Sequence, residues 1–339
     1  VSRPGGDAAL LCFALLVVAV SRWLAFPASI WDMDEANFAL GVIDFDPVHN
    51  QPHAPFFPLW IGLGKVANWL LPVSRSTTAL QLVSAVFSVA IVLPSVRLWS
   101  AILPHRQAWA ATALYLFLPG VWLLSGRAYT EPAATALLIA AAAFWLPGPS
   151  SRGGLVAGAV TLAAALLVRP QWLPVALLLV GWRVLRSGRW SDRLIVVGVP
   201  GAIGAAAVVV VAGLNGGLAP LWAAVAQHRR YMAGAAQGFD WSFADLGIHA
   251  VAGGLIAGTA WLVFAAIGIW SLVRDRRTRG AATVLFGMLL VPYVIVLLAT
   301  QNPTLPRYAL PVLALTSGAV VAGIGTVLRS RGLALGAAV

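Results

Sequence analysis

The chain is nearly without lysine and cysteine: Lys65 and Cys12 stand alone among 339 residues. A lone cysteine excludes an internal disulfide, so the sequence carries no redox signature. Charge is also scarce, at 10% of residues against about 25% in ordinary soluble domains. What fills the space is apolar: 60% of residues are hydrophobic and mean hydropathy is +0.88. A soluble enzyme is excluded. Long apolar runs separated by short polar breaks predict an all-α, polytopic membrane bundle, because helices satisfy their own backbone in lipid. A membrane barrel is excluded because its strands alternate apolar and polar residues.

The formal charge of +11 does not imply nucleic acid. Basic residues punctuate the hydrophobic runs instead of clustering on a soluble face, so they report topology. Windows of about 20 apolar residues predict spans at residues 8–26, 79–99, 109–125, 132–146, 154–168, 172–185, 194–214, 249–273, 281–299 and 310–328. The first is expected to remain as a helix and not to be a cleaved signal. Residues 55–71, which carry Lys65 and Asn68, form an eleventh, shorter apolar piece expected to be interfacial or re-entrant.

Arginine groups near Arg97, Arg152, Arg186, Arg276 and Arg329 then fall on one side, the expected cytoplasmic face. Nearly every unusual polar residue falls on the other side. The expectation is one membrane domain over residues 1–339, with long outer loops at 27–54 and 215–247; the second holds His228 to Tyr231 and Asp240-Trp241. No internal repeat or low-complexity tract is evident.

The first loop holds five of the eleven acidic residues: Asp32, Asp34, Glu35, Asp44 and Asp46. A carboxylate there, Asp34 first, can accept a proton from a hydroxyl; the plainer reading is a solvated loop whose aspartates cap helices. Asp34, Glu35, Asp44 and Asp46 also offer oxygen ligands for a divalent cation. His49 and His53 have the spacing of a helical metal pair, but Pro52 between them disfavours a helix. Arg127 and Glu131 flank a helix start, either lining a cavity or pairing with each other. Arg169-Pro170 interrupts an apolar stretch, as a phosphate contact or a snorkelling turn residue. Arg307-Tyr308 stands at the outer mouth of the last span, able to grip a phosphate or to anchor at the interface.

In order, Asp34-Glu35, Gln51-Pro52-His53-Ala54-Pro55 leading to Lys65, Arg75, Arg127 to Glu131-Pro132, Arg169-Pro170 and Pro306-Arg307-Tyr308 resemble a known series. It is that of the GT-C superfamily of membrane glycosyltransferases, especially the branch with protein O-mannosyltransferases and the lipid A aminoarabinose transferase. The resemblance covers residues 8–311 as ordered short motifs. It implies a glycosyltransferase that moves a sugar from a polyprenyl-phosphate donor to an acceptor hydroxyl with inversion, in a bacterial plasma membrane with its site facing outward. Asp34 matches the catalytic aspartate, with Glu35 and Glu131 beside it. Lys65, Arg127, Arg169, Arg307, Tyr308 and His53 are the candidate donor- and phosphate-binding residues. The chain departs from the family in having His53-Ala54-Pro55 for His-Pro-Pro, and no sizeable soluble stretch follows the last expected span, which leaves acceptor recognition to membrane loops or a partner. The other readings of the same pattern are a transporter or flippase of a lipid-linked substrate, or a non-catalytic subunit.

Overall fold

The computed structural model describes residues 4–71, 75–146, 151–236, 247–301 and 305–330; the side chains of residues 4–7 and 232–236 are outside the description. Asp240 and Trp241 of the second expected loop, and residues 302–304 before the last span, therefore lie outside it. Among the described residues the protein is helical throughout, without a named strand.

In chain order the helices are α1 (Pro4–Leu24), α2 (Met33–Ile43), α3 (Pro58–Leu70), α4 (Ser76–Ala90), α5 (Val92–Ser100), α6 (His105–Leu116), α7 (Pro119–Leu124), α8 (Thr130–Trp145) and α9 (Arg152–Val168). There follow α10 (Leu173–Arg186), α11 (Trp190–Leu214), α12 (Leu218–Ala236), α13 (Ile248–Ala252), α14 (Leu255–Arg274), α15 (Arg279–Ala282), α16 (Val291–Thr300) and α17 (Ala309–Ser330). A π-helical stretch, Thr283–Leu290, joins α15 to α16. Among the described residues, five helical stretches are long and apolar enough to cross a membrane: Ser76–Ser100, Trp190–Leu214, Leu255–Arg274, Arg279–Thr300 and Pro306–Ser330. Shorter apolar helices stand beside them at Ala8–Leu24, Thr130–Trp145 and Arg152–Val168. The protein is an integral membrane protein.

All ten expected spans fall on helices; residues 79–99 cover α4 and α5, which together form the single stretch Ser76–Ser100, and two further spans are broken at proline or glycine. Residues 109–125 divide between α6 and α7 because Pro119 opens a new helix rather than continuing the old one. Residues 249–273 divide at Gly253-Gly254, where φ values of 100° and 123° are ones that glycine adopts most readily. The eleventh piece becomes α3, whose 13 residues rise about 20 Å, short of a hydrocarbon core of about 30 Å. The two expected outer loops are not plain loops, since α2 and α12 lie within them.

The densest helix pairing is α14 along α17. Gly268 makes it possible: a Cβ there would lie 1.7 Å from Ala319 O. Close approach through small residues is how helices gain contact in lipid, where apolar side chains have no water to escape. Arg22 on α1 is 2% exposed and pins the other side of the bundle. Its guanidinium donates to Leu116 O at 2.8 Å, meeting the unpaired carbonyl at the end of α6, and to Ser88 Oγ on α4 at 3.3 Å.

Candidate active site

Four chain breaks meet at one end of the bundle. They are the start of α2, the turn between α7 and α8, and the two short 3₁₀ turns Pro170–Trp172 and Pro306–Tyr308. Proline opens both 3₁₀ turns, so Arg169 and Arg307 fall where regular helix cannot continue. The start of α2 is fixed by Asp32, whose extended backbone and side-chain oxygen cap the helix through the Glu35 N–H at 3.1 Å.

Side chains from these breaks line a small polar chamber of about 30 Å³. Asp34, Glu131, Arg169, Arg307, Tyr308 and His53 all line it, together with Tyr129, Thr130, Gln171 and Gln301. Arg307 is its centre. One Nη donates to Asp32 Oδ2 at 2.7 Å and the other to Asp34 Oδ2 at 2.5 Å. Its Nε lies 3.5 Å from Glu131 Oε1 without forming a hydrogen bond. The guanidinium sits over the rings of Tyr129 and Tyr308, at 4.9 and 5.1 Å from their centroids. Arg169 pairs with Glu131 Oε1 at 2.9 Å and donates to Thr130 Oγ1 at 2.7 Å.

Three expected members, Glu35, Arg127 and Lys65, stand apart from this chamber. Glu35, 0% exposed, accepts the N–H groups of Trp31 at 2.7 Å and Ala128 at 2.8 Å, and pairs with Arg127. Arg127 also lies 5.0 Å over the Trp31 ring. With both oxygens committed, Glu35 ties the first loop to the α7–α8 turn, and Arg127 is its counter-ion and not a partner of Glu131. Lys65 is exposed, and its ammonium donates to Val42 O at 2.9 Å, satisfying a carbonyl at the end of α2.

The four acids named for a cation do not gather. Asp44 caps the end of α2, and Asp46 caps the turn Pro47–His49 and bonds His49 Nδ1 at 2.5 Å. That contact holds the Asp46 carboxyl below its usual range. Among the described residues no three His, Cys, Asp or Glu side chains converge as a metal site. His49 and His53 diverge as well: His53 is wedged against Phe57 at 5.2 Å and stacked on His228 of α12 at 5.1 Å. Burial, opposed by Asp34 and reinforced by His228, Arg307 and Arg169, lowers the His53 pKa to about 4, so its imidazole is neutral at physiological pH. Burial also lowers His228 and raises the Tyr129 hydroxyl, which therefore stays a donor, to Asp32 Oδ2 at 2.9 Å.

Asp32, Tyr129, Thr130, Gln171 and His228 were not singled out by sequence. Asp32 had a readable signal, since an aspartate just before an apolar periodic run is a helix cap. His228 stood out only as part of the polar run in the second long loop, because its place over His53 comes from the fold of α12.

A second cavity of about 790 Å³ lies against the same walls. It is apolar, lined by α9, α10, α11, α12 and the approach to α3. The segment after α2 divides its residues between the two cavities, with His53 and Phe57 on the chamber and Pro55, Phe56 and Pro58 on the cleft. The α9–α10 turn does the same: Arg169 and Gln171 face the chamber, Leu166, Leu167, Pro170 and Leu173 the cleft.

No protein-family model matches the sequence, and neither does any curated protein. Solved structures do match. ArnT from Cupriavidus metallidurans bound to undecaprenyl phosphate superposes with a TM-score of 0.65 at 17% identity, over 97% of this chain and 62% of that one. The Archaeoglobus fulgidus oligosaccharyltransferase tethered to an acceptor peptide gives 0.56 at 14% identity, over 96% of this chain and 50% of that one. The archaeal oligosaccharyltransferase AglB from Archaeoglobus fulgidus, with an inhibitory peptide and a dolichol-phosphate, gives 0.55 at 15%, over 98% and 52%. The chain thus spans between half and two thirds of the length of these proteins, and what it shares with them is the fold of GT-C membrane enzymes.

Proposed function

We propose that the protein is a GT-C-type glycosyltransferase that takes a sugar from a polyprenyl-phosphate carrier and transfers it to an acceptor hydroxyl at the extracytoplasmic face, with inversion. The observation that carries this reading is the shared wall of the two cavities. A polyprenyl-phosphate sugar is a long apolar chain joined to a charged, hydroxylated head. An apolar cleft of about 790 Å³ back to back with a chamber holding two buried arginines matches that division. The structural neighbours ArnT and AglB, solved with undecaprenyl phosphate and dolichol-phosphate, support it by fold.

The chemistry asks three things of the chamber: alignment, proton removal and stabilisation of the leaving phosphate. Arg169 and Arg307 hold the carrier phosphate, taking up the charge that grows as the C1–O bond to phosphate breaks. Asp34 accepts the proton of the acceptor hydroxyl as its oxygen bonds to C1 from the opposite face, which inverts that carbon. The carrier departs as its phosphate, so atoms and charge balance. Asp34 suits the base because, among the described residues, its Oδ1 accepts no hydrogen bond; His53 Nδ1 lies 4.0 Å from it. Asp32 and Glu35 have both oxygens engaged, and Glu131 is held by Arg169 and Thr130.

The test is transfer by the purified full chain in lipid vesicles, supplied with undecaprenyl-phosphate-linked pentoses and hexoses and a membrane extract as acceptor source. Sugar leaving the carrier for a new product, lost in Arg307→Gln, is expected. Carrier-linked sugar that crosses the vesicle membrane intact, with no new glycosidic product, would indicate a transporter instead.

A further inference from the structure

Asp32 and Asp34 both bind Arg307, yet they are held very differently. Asp32 uses both oxygens: Oδ1 takes the Glu35 N–H at 3.1 Å as the cap of α2, and Oδ2 takes the Tyr129 hydroxyl at 2.9 Å and Arg307 at 2.7 Å. Among the described residues Asp34 makes one hydrogen bond, to Arg307 at 2.5 Å. Arg307 itself is 8% exposed, and among the described residues its buried Nε has no hydrogen-bond partner. A chamber of about 30 Å³ in which the arginine is occupied by carboxylates has no room for a phosphate until one of them leaves.

We propose that Asp32 is the positioning residue that holds Arg307 for the carrier phosphate, while Asp34 is the exchangeable partner that the phosphate displaces, so that arrival of the donor frees the base. This rests on the phosphate site of the proposed function and adds a division of labour within it. Displacing Asp34 breaks one charge-assisted bond. Displacing Asp32 breaks three and uncaps α2. The vacated Nη and the unpartnered Nε of Arg307 then both face the incoming oxygens. Because the freed Asp34 carboxylate stays on the first turn of α2, it remains beside the sugar it must serve.

The consequence is a pair of near-isosteric substitutions with opposite effects. Each removes one negative charge from the same guanidinium, so simple electrostatics predicts that both tighten phosphate binding. In this arrangement Asp34→Asn tightens it, and Asp32→Asn weakens it because Arg307 loses its anchor. Asparagine caps helices as well as aspartate does, so Asp32→Asn keeps α2 while losing the charge. Tyr129→Phe, which removes one of the bonds steadying Asp32, weakens binding in the same direction.

The experiment titrates farnesyl phosphate into the full chain in nanodiscs by calorimetry, with thermal unfolding of each variant alongside. A bond to a charged group corresponds to about tenfold in affinity, so Asp34→Asn is expected to bind about tenfold tighter and Asp32→Asn about tenfold weaker. Tightening by both variants, or weakening by Asp34→Asn, overturns the proposal. Should Asp32→Asn fail to fold, Tyr129→Phe decides by the same sign. The outcome that rejects the phosphate site itself is different: farnesyl phosphate that fails to bind, or binds equally well to Arg307→Gln.

Discussion

Arg307 and Asp34 meet at 2.5 Å across 273 residues of sequence, joining the entry of the last helix to the first helix of the outer loop. The start of α2 and the approach to α17 are thereby closed on one another at the chamber. If Asp34 is the base, Asp34→Asn keeps the shape and a hydrogen bond to Arg307 but cannot accept a proton. Transfer is expected to fall by at least about a hundredfold, with the unfolding temperature little changed. Product formation by chromatography, beside a melting curve, checks both.

Glu35 is expected to behave in the opposite way. Its carboxylate is 0% exposed and compensates Arg127, so Glu35→Gln leaves a buried guanidinium without its charge partner. Breaking a buried pair by one partner costs about 3 kcal/mol or more. Denaturant or thermal unfolding should register that loss, and the double variant Glu35→Gln/Arg127→Met should recover part of it. A Glu35→Gln protein of native stability but without transfer would make Glu35 a member of the chemistry instead.

His53 sets a pH dependence. Its folded pKa is about 4 against an ordinary 6.5, so between those values the unfolded chain binds more protons than the folded one. Stability therefore rises with pH through that window: the contribution is present above about 6.5 and is lost as pH falls towards 4. Melting curves from pH 4 to 8 should show it, and His53→Gln should flatten that portion of the profile.

Much of this was legible beforehand. The polar residues Asp34, Glu131, Arg169 and Arg307 stood out as charges that apolar helices do not carry without cause, and all four line one chamber. Their partners were not legible. Arg127 and Glu131, four residues apart, read either as lining a cavity or as each other's partner; Arg127 pairs with Glu35, and Glu131, which lines the chamber, pairs with Arg169. Local spacing fixes which residues share a helix face, whereas pairing across helices depends on packing. Lys65, a phosphate candidate through the resemblance alone, donates instead to Val42 O at the end of α2. Helix breaks at Pro119 and Gly253-Gly254 were visible as residues, yet hydropathy windows average over them.

The α14–α17 contact supplies a prediction remote from the chamber. In Gly268→Val the new side chain would collide with the backbone at Ala319, which cannot rotate away. Overpacking of this kind costs about 1–3 kcal/mol or more. A lower melting temperature and poorer recovery in membranes are expected, with Gly62→Val, where nothing lies within 4 Å, as the tolerated control.

The most direct test of the central claim is a cryo-electron microscopy structure of the full chain with undecaprenyl phosphate bound. The phosphate is predicted within hydrogen-bond reach of Arg169 and Arg307, with the first isoprene units running between α9, α11 and α12. Density for the phosphate away from both arginines, or for the tail outside that cleft, would contradict it.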